Sequence, residues 1–155
     1  ACASPLTIYA VGTAGTGAGD KVICELYDSQ HAKFGSLVND GTNTYLYFEY
    51  TALLTGFAWN SPSVVCGVVN GASSALYTNS MTAAVTGSTG AQLTGNGDYL
   101  LIGNNALYNK PWSGAGGGAA GDIACLLIYK GAHTTAQRTA VTNWLGTRYG
   151  ITITP

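Results

Sequence analysis

Aromatic rings and carboxylates sharing one face of a strand can hold a sugar ring, and the segment TYLYFEY (44–50) is arranged that way. Side chains alternate across a strand, so Tyr45, Tyr47 and Glu49 fall on one face and Leu46, Phe48 and Tyr50 on the other. One set belongs to the core. The other is either a stacking platform for sugars or a protein contact, or it forms cross-strand aromatic pairs on a solvated sheet. A second candidate is NNALYNKPWSGAGGGAAG (104–121), longer than most structureless connections and therefore a candidate binding loop. Tyr108 and Trp112 supply aromatic faces there, Lys110 a charge and the asparagines amides, a mixture suited to hydrogen-bonding and stacking on sugars. The competing reading has Trp112 folded back as a plug.

Residues for covalent chemistry do not assemble in the same way. A hydrolytic acid and nucleophile must face each other, whereas Glu25 and Asp28 are three apart and so on opposite faces of a regular strand. Glu49 stands alone among aromatics. His31 and His133 have no evident nucleophile beside them, and His133, just before a helix start, is expected to be solvated. No G-x-S-x-G elbow occurs, and the glycine-rich GTAGTGAG (12–19) lacks the Lys of a phosphate loop. Asp20, Asp40, Asp98 and Asp122, all in turns, are the candidates for holding calcium. Without a D-x-D-x-D cluster their favoured role is turn geometry, with a calcium ion as the less favoured alternative, and no other metal or cofactor is expected.

The elements that position these residues read mostly as strands. In 155 residues, 46% are apolar and only 8% charged, against roughly a quarter charged in ordinary soluble domains. Six basic side chains against seven acidic ones leave no basic patch for nucleic acid. The longest apolar run, IACLLIY (123–129), is far too short to span a bilayer. Short β-branched or aromatic runs bounded by turn residues predict strands at 6–11, Lys21–Tyr27, 31–38, 44–50, Ser63–Val69, Ser74–Thr78, 99–103 and 123–129. Asp40-Gly41 and Asn70-Gly71 are hairpin signals. Cys24, Cys66 and Cys125 sit inside apolar strands and read as buried thiols, while Cys2 is the cysteine placed to be exposed.

The exception is the end of the chain. Thr134 with Gln137 forms a capping box, and Gly150 is placed to close the helix in the left-handed conformation. A helix is expected over about 135–148. Ala140, Val141, Trp144 and Leu145 share a face, which predicts Trp144 against the core and a loss of about 3–5 kcal/mol on its truncation. Gly146 weakens the last turn by roughly 1 kcal/mol.

The segment GDIACLLIYKGAHTTAQRTAVTNWLGTRYGI (121–151) resembles the closing segment of concanavalin A-like, laminin-G-like jelly-roll domains, a G-[DE]-I-A-E-x-x-[IV]-Y strand followed by a short helix and Y-G-[IL]. LTIYAVGTA resembles an early core strand of that family, WNSPSVVCGVVNGASSALYTNS its strand–turn–strand hairpin, and YLLIGNN its hydrophobic-Ile-Gly strand. Residues 5–151 can be laid on the pattern. The family's common Glu after Ile-Ala is Cys125 here. The E-x-D-x-E strand of glucanases with this architecture has no counterpart.

The resemblance implies an all-β antiparallel sandwich, a concanavalin A-like jelly roll with one short C-terminal helix, as a single domain over 1–155. Family domains usually place one or two strands before the segment matching LTIYAV. The expectation is therefore that this chain lacks its first strand or strands, with a larger polypeptide or a neighbouring subunit supplying the pairing, or that this version is simply shorter. The functional expectation is a non-catalytic extracellular or virion-surface attachment module that assembles with copies of itself or other chains and is able to bind glycans. A dedicated lectin module and a glycoside hydrolase of the same fold are the alternatives. Candidate ligand-binding residues are Trp112, Tyr108, Lys110, Tyr45, Tyr47 and Glu49.

Overall fold

A computed structural model of the chain describes residues 5–15, 21–27, 34–48, 51–89, 99–105, 110–111 and 121–155, the side chains at 27, 34, 48, 104–105 and 110–111 excepted. The strands are β1 (Leu6–Thr13), β2 (Lys21–Tyr27), β3 (Phe34–Asn39), β4 (Thr44–Phe48), β5 (Thr51–Thr55), β6 (Ser63–Val69), β7 (Ser74–Thr78), β8 (Val85–Gly87), β9 (Tyr99–Ile102), β10 (Asn104–Asn105), β11 (Lys110–Pro111) and β12 (Asp122–Lys130). One helix, α1 (Thr135–Tyr149), follows them. Two five-stranded antiparallel sheets, ordered β12-β1-β6-β7-β8 and β5-β4-β3-β2-β9, face each other as a jelly-roll sandwich. β10 and β11 form a separate two-residue ladder within the stretch read as a binding loop.

Strands β2, β6 and β7 lie at their predicted bounds. β5 and β8 were not anticipated. TALLT lacks clean alternation, and VTG is too short to give a periodic signal. The Asp40-Gly41 turn joins β3 to β4, with Gly41 at φ 93°, a conformation a side chain would oppose. Between the sheets lie Leu6, Ile8 and Ala10 of β1, Leu26 of β2, Leu37 of β3, Leu46 of β4, Leu53 of β5, Val65 and Val69 of β6, and Leu76 of β7. Trp59 closes this core, and its indole Nε1 donates to the Gly12 carbonyl at 2.6 Å, so the ring is buried without orphaning its donor.

The outer face of the β12-β1-β6-β7-β8 sheet carries a second apolar cluster, Tyr9, Val11, Val64, Cys66 and Val68, covered by α1 through Leu145. The helix begins as expected. Gln137 N donates to Thr134 Oγ1 at 3.3 Å, and Thr134 N donates to Gln137 Oε1 at 2.8 Å. Gly150, at φ 66°, ends it.

The buried face of α1 differs from the predicted one. Trp144 is 52% exposed, and the buried residues are Thr142, Leu145 and Gly146. Two things pack against the helix: the sheet, and the tail after it. A Cβ on Gly146 would lie 2.6 Å from Ile153 Cγ1 and 2.8 Å from the Ile151 carbonyl oxygen. The glycine read as a weak point is where the tail makes its close approach.

His133 is also not solvated. It is partly buried, its Nδ1 lies 2.9 Å from the Tyr9 hydroxyl, and its backbone N–H donates to Thr7 Oγ1 at 2.9 Å. Burial, and then the nearby Arg138 guanidinium, lower its pKa. Sequence neighbours could not reveal partners 124 residues away.

β1 is flanked on both sides within the chain, by β12 and by β6. The unpaired position expected beside 6–11 is thus filled by the chain's own strands.

Candidate functional site

With one sheet's outer face under the helix, the outer face of the β5-β4-β3-β2-β9 sheet is the natural place for a site. Its pattern follows from strand alternation against the core. Leu26, Leu37, Leu46 and Leu53 point inward, so their neighbours point out. Two rows cross the sheet there. One runs Leu101, Glu25, Ser36, Tyr47, Ala52, and the other Val22, Val38, Tyr45, Leu54, each residue opposite the next in the ladder.

The phase of β2 comes from a bulge. The register with β3 shifts between Val22 and Cys24, so Ile23 is the extra residue and Val22 faces out while Ile23 and Cys24 face in. No residue type in KVICELY marks that bulge.

The rows have a floor and a wall. Glu25 is fully buried, and Ser36 and Val22 are buried beside it. Tyr45 and Tyr47 are half-buried. The Tyr45 hydroxyl donates to Asp40 Oδ2. Asp40 also accepts from Thr42 N at 2.8 Å, Asn43 N at 2.6 Å and Asn43 Nδ2 at 3.1 Å. Burial alone would raise the Asp40 pKa, but the hydrogen bonds from Tyr45, Asn43 and Thr42 outweigh it and bring it down to about 2. Asp40 is accordingly a turn anchor that fixes the Tyr45 ring at the edge of the face.

Of the residues nominated from sequence, Tyr45 and Tyr47 lie on this face with Leu46 on the opposite one, as alternation requires. Glu49, Tyr108 and Trp112 lie outside the described residues, and for Lys110 only the backbone, in β11, is described. Glu25 and Ser36 were not nominated. Only the bulge and the cross-strand register bring Ser36 beside Tyr47 and Glu25 beside Ser36.

Among the calcium candidates, Asp40 is engaged in its turn, Asp122 opens β12 in the other sheet, and Asp20 and Asp98 lie outside the described residues. No group of three or more His, Cys, Asp or Glu side chains suited to a metal occurs among the described residues. No described helix is long and apolar enough to cross a membrane.

Cys24 and Cys66 are buried free thiols, and burial pushes both up to about 12. Cys125 is a half-buried free thiol on the helix-facing side, where the family pattern has Glu.

No family model matches the sequence, and no curated protein matches it. Solved structures do match in fold. The carbohydrate-binding module (CBM40) of a Ruminococcus gnavus IT-sialidase, bound to α2,3-sialyllactose, aligns with a TM-score of 0.65 at 12% identity, over 91% of this chain and 84% of that one. The same module bound to α2,6-sialyllactose gives 0.63 at 11% identity, over 92% and 84%. A native heptameric SAP-like pentraxin from Limulus polyphemus gives 0.62 at 17% identity, over 91% and 72%. At such identities the likeness establishes the fold alone: this chain is a jelly-roll β-sandwich.

Proposed function

We propose that this protein is an extracellular, non-catalytic glycan-binding module of the concanavalin A-like, laminin-G-like class, which attaches a larger assembly to its target. Its binding face is the outer face of the β5-β4-β3-β2-β9 sheet. The observation that carries this is the pairing of half-buried Tyr45 and Tyr47 with a buried polar floor of Glu25 and Ser36 on the sheet that α1 does not cover. An aromatic ring held by its own hydroxyl, as Tyr45 is by Asp40, presents its face without further ordering on binding. Glu49, Tyr108, Lys110 and Trp112 are proposed as further ligand-binding residues. The sialidase module and the pentraxin, with the same fold, support the recognition class.

The half-buried tyrosines supply ring faces for stacking on a sugar. Titration of the intact protein with neutral and sialylated oligosaccharides by isothermal calorimetry tests this. Binding of at least one oligosaccharide is expected, weakened about tenfold or more, the equivalent of about 1.4 kcal/mol, in Tyr47→Ala. Unchanged affinity in Tyr47→Ala, with near-ultraviolet dichroism confirming an intact fold, would refute the placement. Polysaccharide cleavage would refute the non-catalytic reading.

A further inference from the structure

We propose that His133 is an acid-operated clasp: when its ring takes a proton from solvent, the first two turns of α1 lift from the β12-β1-β6-β7-β8 sheet and uncover Cys66. The clasp lies on the sheet opposite to the glycan face and stands independently of that reading.

The buried residues of α1, Thr142, Leu145 and Gly146, all fall in its second half. Residues 135–141 are exposed or half-buried, and among them Val141 packs on the apolar cluster under the helix. The start of the helix is held instead through residue 133. Its N–H donates to Thr7 Oγ1 at 2.9 Å, and Thr7 Oγ1 donates to the Gly131 carbonyl at 2.9 Å. Its Nδ1 lies 2.9 Å from the hydroxyl of fully buried Tyr9. The rings of Tyr129 and Tyr9 flank the imidazole, with centroids 4.5 and 5.7 Å away. Beneath the first turns runs a crevice bordered by Cys66 and Tyr77 of the sheet and by Thr135, Arg138 and Thr139 of the helix. Two turns of helix have little stability of their own in water, so their docking depends on this held end.

The clasp suits a neutral imidazole. Burial pushes the Tyr9 pKa up, so the phenol keeps its proton and donates it to an unprotonated Nδ1. A proton on Nδ1 removes that acceptor and forces the hydroxyl to turn. The groups that face the ring are Tyr9 from β1, Tyr129 from β12 and Arg138 from α1. Cys66 of β6 lies opposite Tyr9 in the ladder, and Tyr77 of β7 lies 4.7 Å from the Arg138 guanidinium. Among these described residues there is no carboxylate. Arg138 Nη1 donates to the His133 carbonyl at 2.7 Å, which keeps a second cation beside the ring. The ring also stands at the positive end of the helix dipole, and the first turn of α1 carries no acidic residue. Water screens all of these repulsions, so proton uptake shifts the population toward the released end.

Thiol labelling of the intact protein with dithiodipyridine, which reacts in acid as well as at neutral pH, reads the opening. Each rate is divided by that of the same cysteine in urea at the same pH. Cys24, fully buried between the two sheets, is the internal control for global unfolding. Cys66 labelling is expected to quicken below about pH 6.5, by up to about tenfold per pH unit as a one-proton opening requires, with Cys24 unchanged. His133→Asn is expected to abolish this dependence. Thr7→Val, which removes the hydrogen bond to the His133 N–H, is expected to raise Cys66 labelling about tenfold at neutral pH while the dependence persists. Cys66 labelling that ignores pH overturns the proposal. So does a rise at Cys24 that matches the rise at Cys66, or a pH dependence kept in His133→Asn.

Discussion

Replacing Gly146 by Ala sets two physical effects against each other, with opposite signs. By helix propensity alone, Ala in the last turn of α1 stabilises by about 1 kcal/mol over Gly. The packing points the other way. The new methyl would sit 2.6 Å from Ile153 Cγ1 and 2.8 Å from the Ile151 carbonyl oxygen, both inside ordinary contact. Ile153 can rotate. The Ile151 carbonyl belongs to a segment tied down by its own N–H, which donates to the Gly146 carbonyl at 2.9 Å. Overpacking of this kind costs about 1–3 kcal/mol, so the net expectation is a loss of about 1 kcal/mol. In a chain this long that lowers Tm by about 2–4 °C. Urea unfolding followed by far-ultraviolet dichroism measures it, with Ile153→Ala as a second background. Removing that side chain relieves the nearer contact, so Gly146→Ala is expected to cost less there, a coupling read from a double-mutant cycle. Trp144→Ala serves as the control. It is expected to cost under about 1 kcal/mol, because the ring is half in solvent. A Gly146→Ala protein more stable than its parent would mean that the tail does not pack on the helix, and the reasoning fails.

Acidification provides another expectation. His133 has a folded pKa below its unfolded value, so the unfolded chain takes up the proton first. Its contribution is complete above the unfolded value of about 6.5 and is lost as pH falls through the folded one. Unfolding free energy should fall as pH drops below about 6.5, and His133→Asn should flatten that slope; an equal slope in the variant counts against the Tyr9 contact. The thiols provide a third expectation. With Cys24 and Cys66 buried and held at about 12, iodoacetamide at about pH 8 should leave both unmodified in the native protein and label both in urea, as peptide mass mapping would show. Rapid native labelling of either would contradict the burial.

Local patterns carried much of this structure in the sequence, and non-local contacts carried what was missed. The Thr134–Gln137 box and Gly150 act within a turn of their own positions, so they were legible. The face of α1 was not, because it is chosen by what lies on both sides. Thr142 and Gly146 are buried since sheet and tail need close approach there, while Trp144, the most apolar-looking residue, is turned outward. His133 was misplaced for a related reason, its partners Tyr9 and Thr7 coming from the other end of the chain. Of the candidate face, alternation in β4 located Tyr45 and Tyr47. Glu25 and Ser36 required the Ile23 bulge and the β2–β3 register.

The two outer faces of the sandwich differ in a way that packing alone does not demand. Under α1 the buried residues are Val11, Val64, Val68 and Leu145, with Tyr9 and Cys66, an interior in the ordinary sense. On the other sheet, two residues at the middle of the row, Glu25 and Ser36, are buried too, and they are a carboxylate and a hydroxyl. Burying a carboxylate carries a desolvation penalty of several kcal/mol that an apolar side chain at Glu25 would avoid. A face that served only to be solvated would leave these groups in water, and one that served only to be covered would be apolar. Buried polar groups in one row with a half-buried tyrosine are the contrast with the apolar interior under α1 that places the proposed binding face on this sheet.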